Sequence, residues 1–228
     1  MDELLTSSIH FHDNAKRNIV YVSKPEEAFA SLLEDEKDAG ILQALMLNAR
    51  THVSRKASVD DFYFTSAIEY PFKTEPFMSS RYSNGSYPIW YGSLEIETTV
   101  YETVHHSLKF LKATEGSMNE SEIIRKRSIF DVQCSAILIN LSGLENKYPD
   151  IISDDYSVTQ TIGSTVRASG MAGIMSPSAR HKKGTNLNIF IPDVLDKPDR
   201  LGVLTYRILP KEKCVQVEGV NMEMSIPF

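Results

Sequence analysis

The sequence predicts an α+β fold, in which helices flank a mixed sheet, and three observations support that prediction. FDVQCSAILINLSG (130–143) alternates in polarity and then becomes continuously apolar, as a buried strand does. Residues 96–111 carry apolar side chains at helical spacing. Segments of the two kinds follow each other without a regular βαβ alternation, which favours α+β over a doubly wound sheet.

Composition and charge exclude several classes of protein. The chain has 228 residues, of which 42% are hydrophobic and 24% charged, which is typical of a globular protein. Its formal net charge of -6 argues against a nucleic-acid partner, because such proteins carry a basic footprint. The two cysteines form no CxxC pattern and HExxH is absent, so we expect reduced thiols and no metal site. No signal peptide or membrane span is visible, and we therefore expect a cytoplasmic protein without membrane contact.

The N-terminal part of the chain is predicted to be a helical extension. KPEEAFASLLEDEKDAGILQALMLNAR (24–50) carries two apolar stripes at helical spacing, separated at Gly40. Pro25 suits the first turn of such a helix. We therefore predict two parts, a helical extension over residues 1–58 and a main domain over residues 59–228.

Within the second part, the elements are predicted from periodicity and turn residues. PIWYG (88–92) predicts a short strand, and Ser93 then suits the N-cap of a helix that runs to Lys112. Later elements are expected as a helix over residues 154–168, a strand within GMAGIMSPS (170–178), a strand at NLNIFIP (186–192) and a last strand at LTYRIL (204–209).

Glu102 is the first candidate for chemistry. It lies off the apolar stripe of its helix, which consists of Ile96, Val100, Val104, Leu108 and Leu111. From periodicity alone, a solvated helical face also explains this position. However, the helix begins where the aromatic strand ends, so a ligand across that junction would meet Tyr91 and Glu102 together.

Two further segments could bind an anion. Arg81 precedes SNGS, a turn with small side chains, and an arginine fork suits a diphosphate. SPSARHKKGTN (176–186) is the most basic stretch of an acidic chain, so it is a candidate anion site, and its serines could position a ligand group. Both segments are also compatible with an ordinary solvated surface.

These candidates together resemble the RES domain family, which is named for its arginine, glutamate and serine. RYSNGSYPIWYGSLEIETTVYETVHH (81–106) and GMAGIMSPSARHKKGTNLNIF (170–190) carry the resemblance, within residues 60 to 210. The resemblance matches the family's residues to Arg81, Tyr91, Glu102 and Ser178, with Ser176 as the alternative serine. The flanks of the arginine are serine-rich rather than glycine-rich, and the first 60 residues exceed the minimal domain.

The resemblance implies a fold like that of the ADP-ribosyltransferases and the toxin half of a bacterial toxin–antitoxin pair. It implies that NAD is the substrate, that no cofactor is used, and that the nicotinamide–ribose bond is cleaved. Glu102 would then stabilise the ribose cation, Arg81 would hold the diphosphate, and Tyr91 would pack on the nicotinamide or ribose. Ser178 would orient the nicotinamide half, with Arg180 as a second anion contact.

The partner implied is an antitoxin with a helix-turn-helix segment, and a homodimer within the complex is one arrangement that stays open. Water and phosphate both remain as acceptors of the ADP-ribosyl group. Two other functions remain open as well. The same cleft could transfer ADP-ribose to a macromolecule, or it could be a catalytically silent module that binds only a partner protein.

Overall fold

The structure, a computed structural model, describes residues 2–21, 63–73, 75–114 and 117–228. These ranges form an α+β fold, as predicted. The strands are β1 Ser8–Val20, β2 Trp90–Ser93, β3 Ile123–Asn140, β4 Gly173–Pro177, β5 Thr185–Ile189, β6 Leu195–Leu209, β7 Cys214–Gly219 and β8 Met222–Pro227. The helices are α1 Tyr70–Lys73, α2 Ile96–Ala113 and α3 Ser157–Ala168; a π-helical segment (Thr65–Glu69) precedes α1, and short 3-10 helices cover Asp2–Leu5, Ser117–Asn119, Pro149–Ile152 and Pro192–Val194.

All eight strands belong to one mixed sheet, in the order β1-β2-β5-β4-β3-β6-β7-β8. β1 also pairs with β3, from Ser8 opposite Ile139 to Val20 opposite Arg127. Strands β1, β2, β5, β4 and β3 therefore form a closed circuit of pairings, while β6, β7 and β8 continue from β3 as an open wing. Closure fixes β2 beside β5 and β5 beside β4, which are the strands that lead into the candidate site.

Helix α2 packs its apolar stripe against the open wing. The buried residues of the stripe contact side chains of β3, β6 and β7, among them Ile129, Leu204 and Val217. The predicted stripe is confirmed for Val100, Val104, Leu108 and Leu111, all of which are buried. This packing fixes the rotation of the helix about its axis and turns Glu102 away from the wing. None of the helices in the described part of the chain is long and apolar enough to cross a membrane.

The start of the chain differs from the predicted helical extension. Ser8–Val20 is a strand of the central sheet, where Phe11 and Ala15 are buried. The local sequence IHFHDNAKR is polar, and its strand conformation results from the long pairing with β3, which local periodicity does not reveal. The predicted helix over residues 24–50 lies outside the described residues, and the boundary at residues 58 and 59 stays a prediction.

Two boundaries inside the second part are also corrected. Ser93 is not a helix cap but the last residue of β2, and α2 begins at Ile96 with Glu95 in the N-cap position. LTYRIL is not the last strand, because it is the end of the longer β6 and the strands β7 and β8 follow it. In both cases sheet pairing, rather than local composition, sets where the element ends.

Candidate active site

The helix that carries Glu102 and the loop that carries Ser178 meet in one hydrogen bond. Ser178 directly follows β4 and is 8% exposed. Its Oγ donates a hydrogen bond of 2.7 Å to Oε1 of the half-buried Glu102. Two residues that the sequence predicted for one cleft are therefore in direct contact.

The second candidate serine faces a different partner. Ser176 is buried in β4, and its Oγ accepts a hydrogen bond of 2.9 Å from Asn188 Nδ2. Asn188 also donates to the carbonyl oxygen of Ile174, so this pair stabilises the packing between β4 and β5. Of the two serines, the geometry favours Ser178 as the partner of Glu102.

Asn186 is a site residue that the sequence analysis did not single out. Its Nδ2 donates a hydrogen bond of 2.8 Å to Glu102 Oε1, and its Oδ1 accepts one of 2.7 Å from Ser93 Oγ. In the sheet, Ser93 of β2 and Ser176 of β4 lie opposite Asn186 on either side. The alternation of Asn186 and Asn188 with buried apolar residues in β5 is the signal that could have indicated a polar face on this strand.

The loop after Ser178 is organised around the serine hydroxyl. Ser178 Oγ accepts hydrogen bonds from the backbone N–H groups of Arg180 at 3.1 Å and His181 at 3.0 Å. The backbone N–H of Ser178 in turn donates to the carbonyl oxygen of Gly184 at 2.8 Å. These bonds close residues 178–184 into a compact loop, which we call the serine loop.

The serine loop rests on the first two turns of α2. His181 stacks on the ring of Tyr101, with centroids 4.8 Å apart and planes 13° apart, and its Nδ1 lies 2.9 Å from Thr98 Oγ1. A side chain at Gly184 would place its Cβ 2.5 Å from Thr98 Oγ1, so the loop can approach the helix this closely only with glycine there.

Arg81 is fixed beside the segment that precedes α3. Its Nη1 donates hydrogen bonds to the carbonyl oxygens of Ser153 at 2.5 Å and Ile151 at 3.3 Å. Its guanidinium also lies 4.7 Å from the centre of the Tyr156 ring. The side chain is half-buried and held in one orientation, as a preformed anion contact should be.

Arg180 lies beside the same segment and forms an ion pair with Asp154. The hydrogen bond from Arg180 holds the pKa of the Asp154 carboxyl below its usual range. Arg180 also interacts with Tyr156, on whose ring Arg81 stacks. The two predicted anion contacts are thereby brought to one short segment, and one of them already has a carboxylate as its partner.

Tyr91 contacts the residues on both sides of Arg81. Its hydroxyl donates a hydrogen bond of 2.7 Å to Ser80 Oγ and accepts one of 3.4 Å from the backbone N–H of Tyr82. Burial raises the pKa of Tyr91, although the hydrogen bond to Ser80 opposes that effect. Because Ser80 and Tyr82 stand on either side of Arg81, these two hydrogen bonds hold the turn that carries the arginine.

Two histidines of α2 complete the surroundings of Glu102. Burial lowers the pKa of both His105 and His106, and the nearby Arg180 lowers both further. The Glu102 carboxylate raises the pKa of both, by more than Arg180 lowers it at His106 and by less at His105, and burial remains the largest influence on each. The part of the chain that the structure describes contains no cluster of three or more His, Cys, Asp or Glu side chains that could hold a metal ion.

A cavity of about 480 Å³ opens beside the serine loop. Its lining includes Ser178 and three cations, Arg180, Lys182 and Lys183, together with Glu145. Neither Glu102 nor Arg81 belongs to this lining. Ser178 therefore belongs both to the lining of this basic cavity and to the group of side chains that holds the Glu102 carboxylate.

The fold and site define an α+β protein in which a glutamate carboxylate is held by a serine and an asparagine, and in which Arg81 and Arg180 both contact Tyr156. The chain belongs to the RES domain family, whose family model matches residues 54–208, more than half of the 228 residues. The resemblance inferred from the two motifs is thereby confirmed.

A structure of the M. tuberculosis MbcT–MbcA toxin–antitoxin complex is similar with a TM-score of 0.42 and 12% sequence identity, covering 87% of this chain and 88% of that chain. No curated protein matches the chain.

Proposed function

We propose that this protein is the toxin component of a toxin–antitoxin pair and that it depletes NAD by cleaving the nicotinamide–ribose bond. The observation that carries the proposal is the bonding of the Glu102 carboxylate to Ser178 and Asn186, with Arg180 in the loop that begins at Ser178. Membership of the RES domain family supports the same proposal.

The reaction needs one correctly placed negative charge. When the C1′–N bond of NAD breaks, its electron pair stays with the nicotinamide nitrogen, so a cationic ring departs as a neutral molecule. No strong general acid is required for that departure. Positive charge develops on the ribose, as in glycoside hydrolysis, and the Glu102 carboxylate stabilises it.

In this proposal the two arginines bind the diphosphate of NAD. Arg81 has five N–H donors, of which the two on Nη1 face the carbonyl oxygens of Ser153 and Ile151 and fix its orientation. In this proposal the remaining donors bind the diphosphate. Arg180 is a second anion contact in this proposal, once its pairing with Asp154 is exchanged for the ligand. Tyr91 supports the turn that carries Arg81.

Either water or phosphate can accept the ADP-ribosyl group and complete the reaction. A water oxygen adds to C1′ and loses a proton, which gives ADP-ribose. Alternatively, a phosphate oxygen adds to C1′ and gives ADP-ribose phosphorylated at that carbon. In the family that the sequence resembles, the partner is an antitoxin with a helix-turn-helix segment, and we propose that such an antitoxin covers this cleft.

To test this proposal, the NAD concentration is followed over time with purified protein, with and without inorganic phosphate. We expect the wild type to consume NAD and Glu102→Gln to do so at least about 10²-fold more slowly, since a charge-stabilising group is lost. Glu122→Gln is the matched control, because Glu122 is an exposed partner of Arg207 and lies outside the site. The control should consume NAD like the wild type.

The outcomes separate the candidate functions. Loss of NAD only with phosphate would identify the acceptor as phosphate, and loss without it would identify water. Stable label on lysate proteins from labelled NAD would favour ADP-ribose transfer. If the folded wild type neither binds nor consumes NAD but captures an antitoxin, the enzymatic proposal is wrong and the protein is a binding module.

A further inference from the structure

The Glu102 carboxylate is held asymmetrically. Both hydrogen bonds that described residues donate to it, from Ser178 Oγ and Asn186 Nδ2, end on Oε1. Oε2 therefore remains as the oxygen open to a ligand. Because a carboxylate only accepts hydrogen bonds, whatever meets Oε2 must be a donor or carry positive charge.

Asn186 has only one chemically consistent orientation. Its amide lies between the Glu102 carboxylate, which can only accept, and the Ser93 hydroxyl, which can donate. Nδ2 must therefore face Glu102, and Oδ1 must face Ser93. Ser93 is 3% exposed and ends β2 directly opposite Asn186, so this orientation is fixed by the sheet.

Ser178 has no hydrogen-bonding capacity left for a ligand. Its hydroxyl has one donor and two acceptor positions. The donor is used on Glu102, and the backbone N–H groups of Arg180 and His181 take both acceptor positions. In this arrangement Ser178 acts through Glu102 and does not itself orient the nicotinamide half.

We infer that Asn186, set by Ser93, is a positioning residue that works with Ser178 to hold Oε1 and turn Oε2 towards the substrate. This inference rests on the proposed function. Oε2 accepts a hydrogen bond from a ribose hydroxyl next to the breaking bond and stabilises the positive charge that develops there. Asn186 thus acts on the transition state through the orientation of Glu102, not through contact with the ligand.

The test compares Asn186→Ala with Asn188→Ala. Both asparagines lie in β5, two residues apart, but Asn188 bonds Ser176 and Ile174 instead of Glu102. We expect Asn186→Ala to lower kcat by about 10²-fold, as a misplaced catalytic group does, with little change in KM. Asn188→Ala should lower the melting temperature and leave the kcat of the folded protein unchanged.

The isosteric variant Asn186→Asp supplies a readout that a purely structural role would not change. It places a second carboxylate beside Glu102, so at neutral pH the two repel each other and turnover should be low. As the pH falls, one of the facing carboxyls takes up a proton and can donate to the other. Turnover of Asn186→Asp relative to the wild type should therefore rise towards acidic pH.

Failure of the inference is distinguishable from failure of the proposed function. If the wild type consumes NAD and Asn186→Ala keeps its kcat, or loses it only together with Asn188→Ala, the positioning role is wrong. If the wild type never consumes NAD, the proposed function is wrong, and a double-mutant cycle on unfolding then tests the part of the inference that does not depend on NAD, the hold of Asn186 on Glu102. In that cycle, additive effects of Asn186→Ala and Glu102→Ala would overturn it, while coupling would support it.

Discussion

Ser178 and Glu102 lie 76 residues apart in the chain, and the serine hydroxyl donates a hydrogen bond of 2.7 Å to the glutamate. The same hydroxyl organises the serine loop, whose other end rests on the first turn of the glutamate helix. The carboxylate and the loop therefore keep each other in place. A disturbance of either one is expected to reach the other through this hydrogen bond.

Arg81→Lys should weaken NAD binding. Lysine keeps the charge but loses the fork and the stacking on Tyr156, so we expect KM for NAD to rise about tenfold, the equivalent of one lost charged hydrogen bond. Arg167→Lys is the control, because Arg167 stacks on Tyr87 at 4.9 Å on the exposed face of α3. Steady-state kinetics of both variants check the prediction, and equal KM values would contradict it.

Asp154→Asn should tighten NAD binding. The Asp154 carboxylate occupies Arg180, so its removal frees a cation for the diphosphate, and we expect the dissociation constant to fall several-fold. Asp155→Asn removes the same charge one residue away, where the carboxylate instead accepts a hydrogen bond from the N–H of Ser157. Calorimetric titration with NAD measures both variants. Tighter binding in both would indicate only a long-range effect of charge, and weaker binding in Asp154→Asn would show that the ion pair prepares Arg180 for the ligand.

Tyr91→Phe should affect both stability and ligand binding. Loss of its hydroxyl removes the bonds to Ser80 and Tyr82, and we expect the free energy of unfolding to fall by about 1–2 kcal/mol. KM for NAD should rise because the turn that carries Arg81 loosens. Tyr206→Phe also removes a buried, bonded hydroxyl, here from Asn18 and Thr103, and should destabilise the protein without raising KM. A normal KM in Tyr91→Phe would contradict the supporting role.

The two cysteines should differ in reactivity. Cys134 is fully buried, and burial raises the pKa of its thiol to about 12, whereas Cys214 is half-buried. Because the thiolate is the reactive form, alkylation of the native protein at pH 8 should modify Cys214 and spare Cys134. Peptide mass spectrometry checks this, and rapid modification of Cys134 would contradict it.

The raised pKa of Cys134 also predicts a dependence of stability on pH. A folded pKa above the unfolded value of about 9 means that the folded state retains the proton longer. The corresponding stability is complete below pH 9 and is lost as the pH rises towards 12. Cys134→Ala should therefore show a flatter decline in the free energy of unfolding across that window than the wild type.

The glutamate helix shows what local sequence could predict. Its apolar stripe placed Glu102 off the core face, and the structure confirms that arrangement because helical periodicity depends only on residues within a few turns. Asn186 shows the opposite case. Its role depends on β5 lying between β2 and β4 and on the proximity of α2, which involve residues far away in the chain.

The sequence by itself determined the α+β class, the rotation of the glutamate helix and, through its two motifs, the RES domain family. Each of these follows from short-range periodicity or from residue types at fixed spacing. Only the tertiary structure decided that Ser8–Val20 closes the sheet, that Ser178 rather than Ser176 meets Glu102, and that Asn186 shares the same oxygen. These features are pairings between distant segments, and the order of strands that produces them is set by the packing of the whole domain rather than by any one segment.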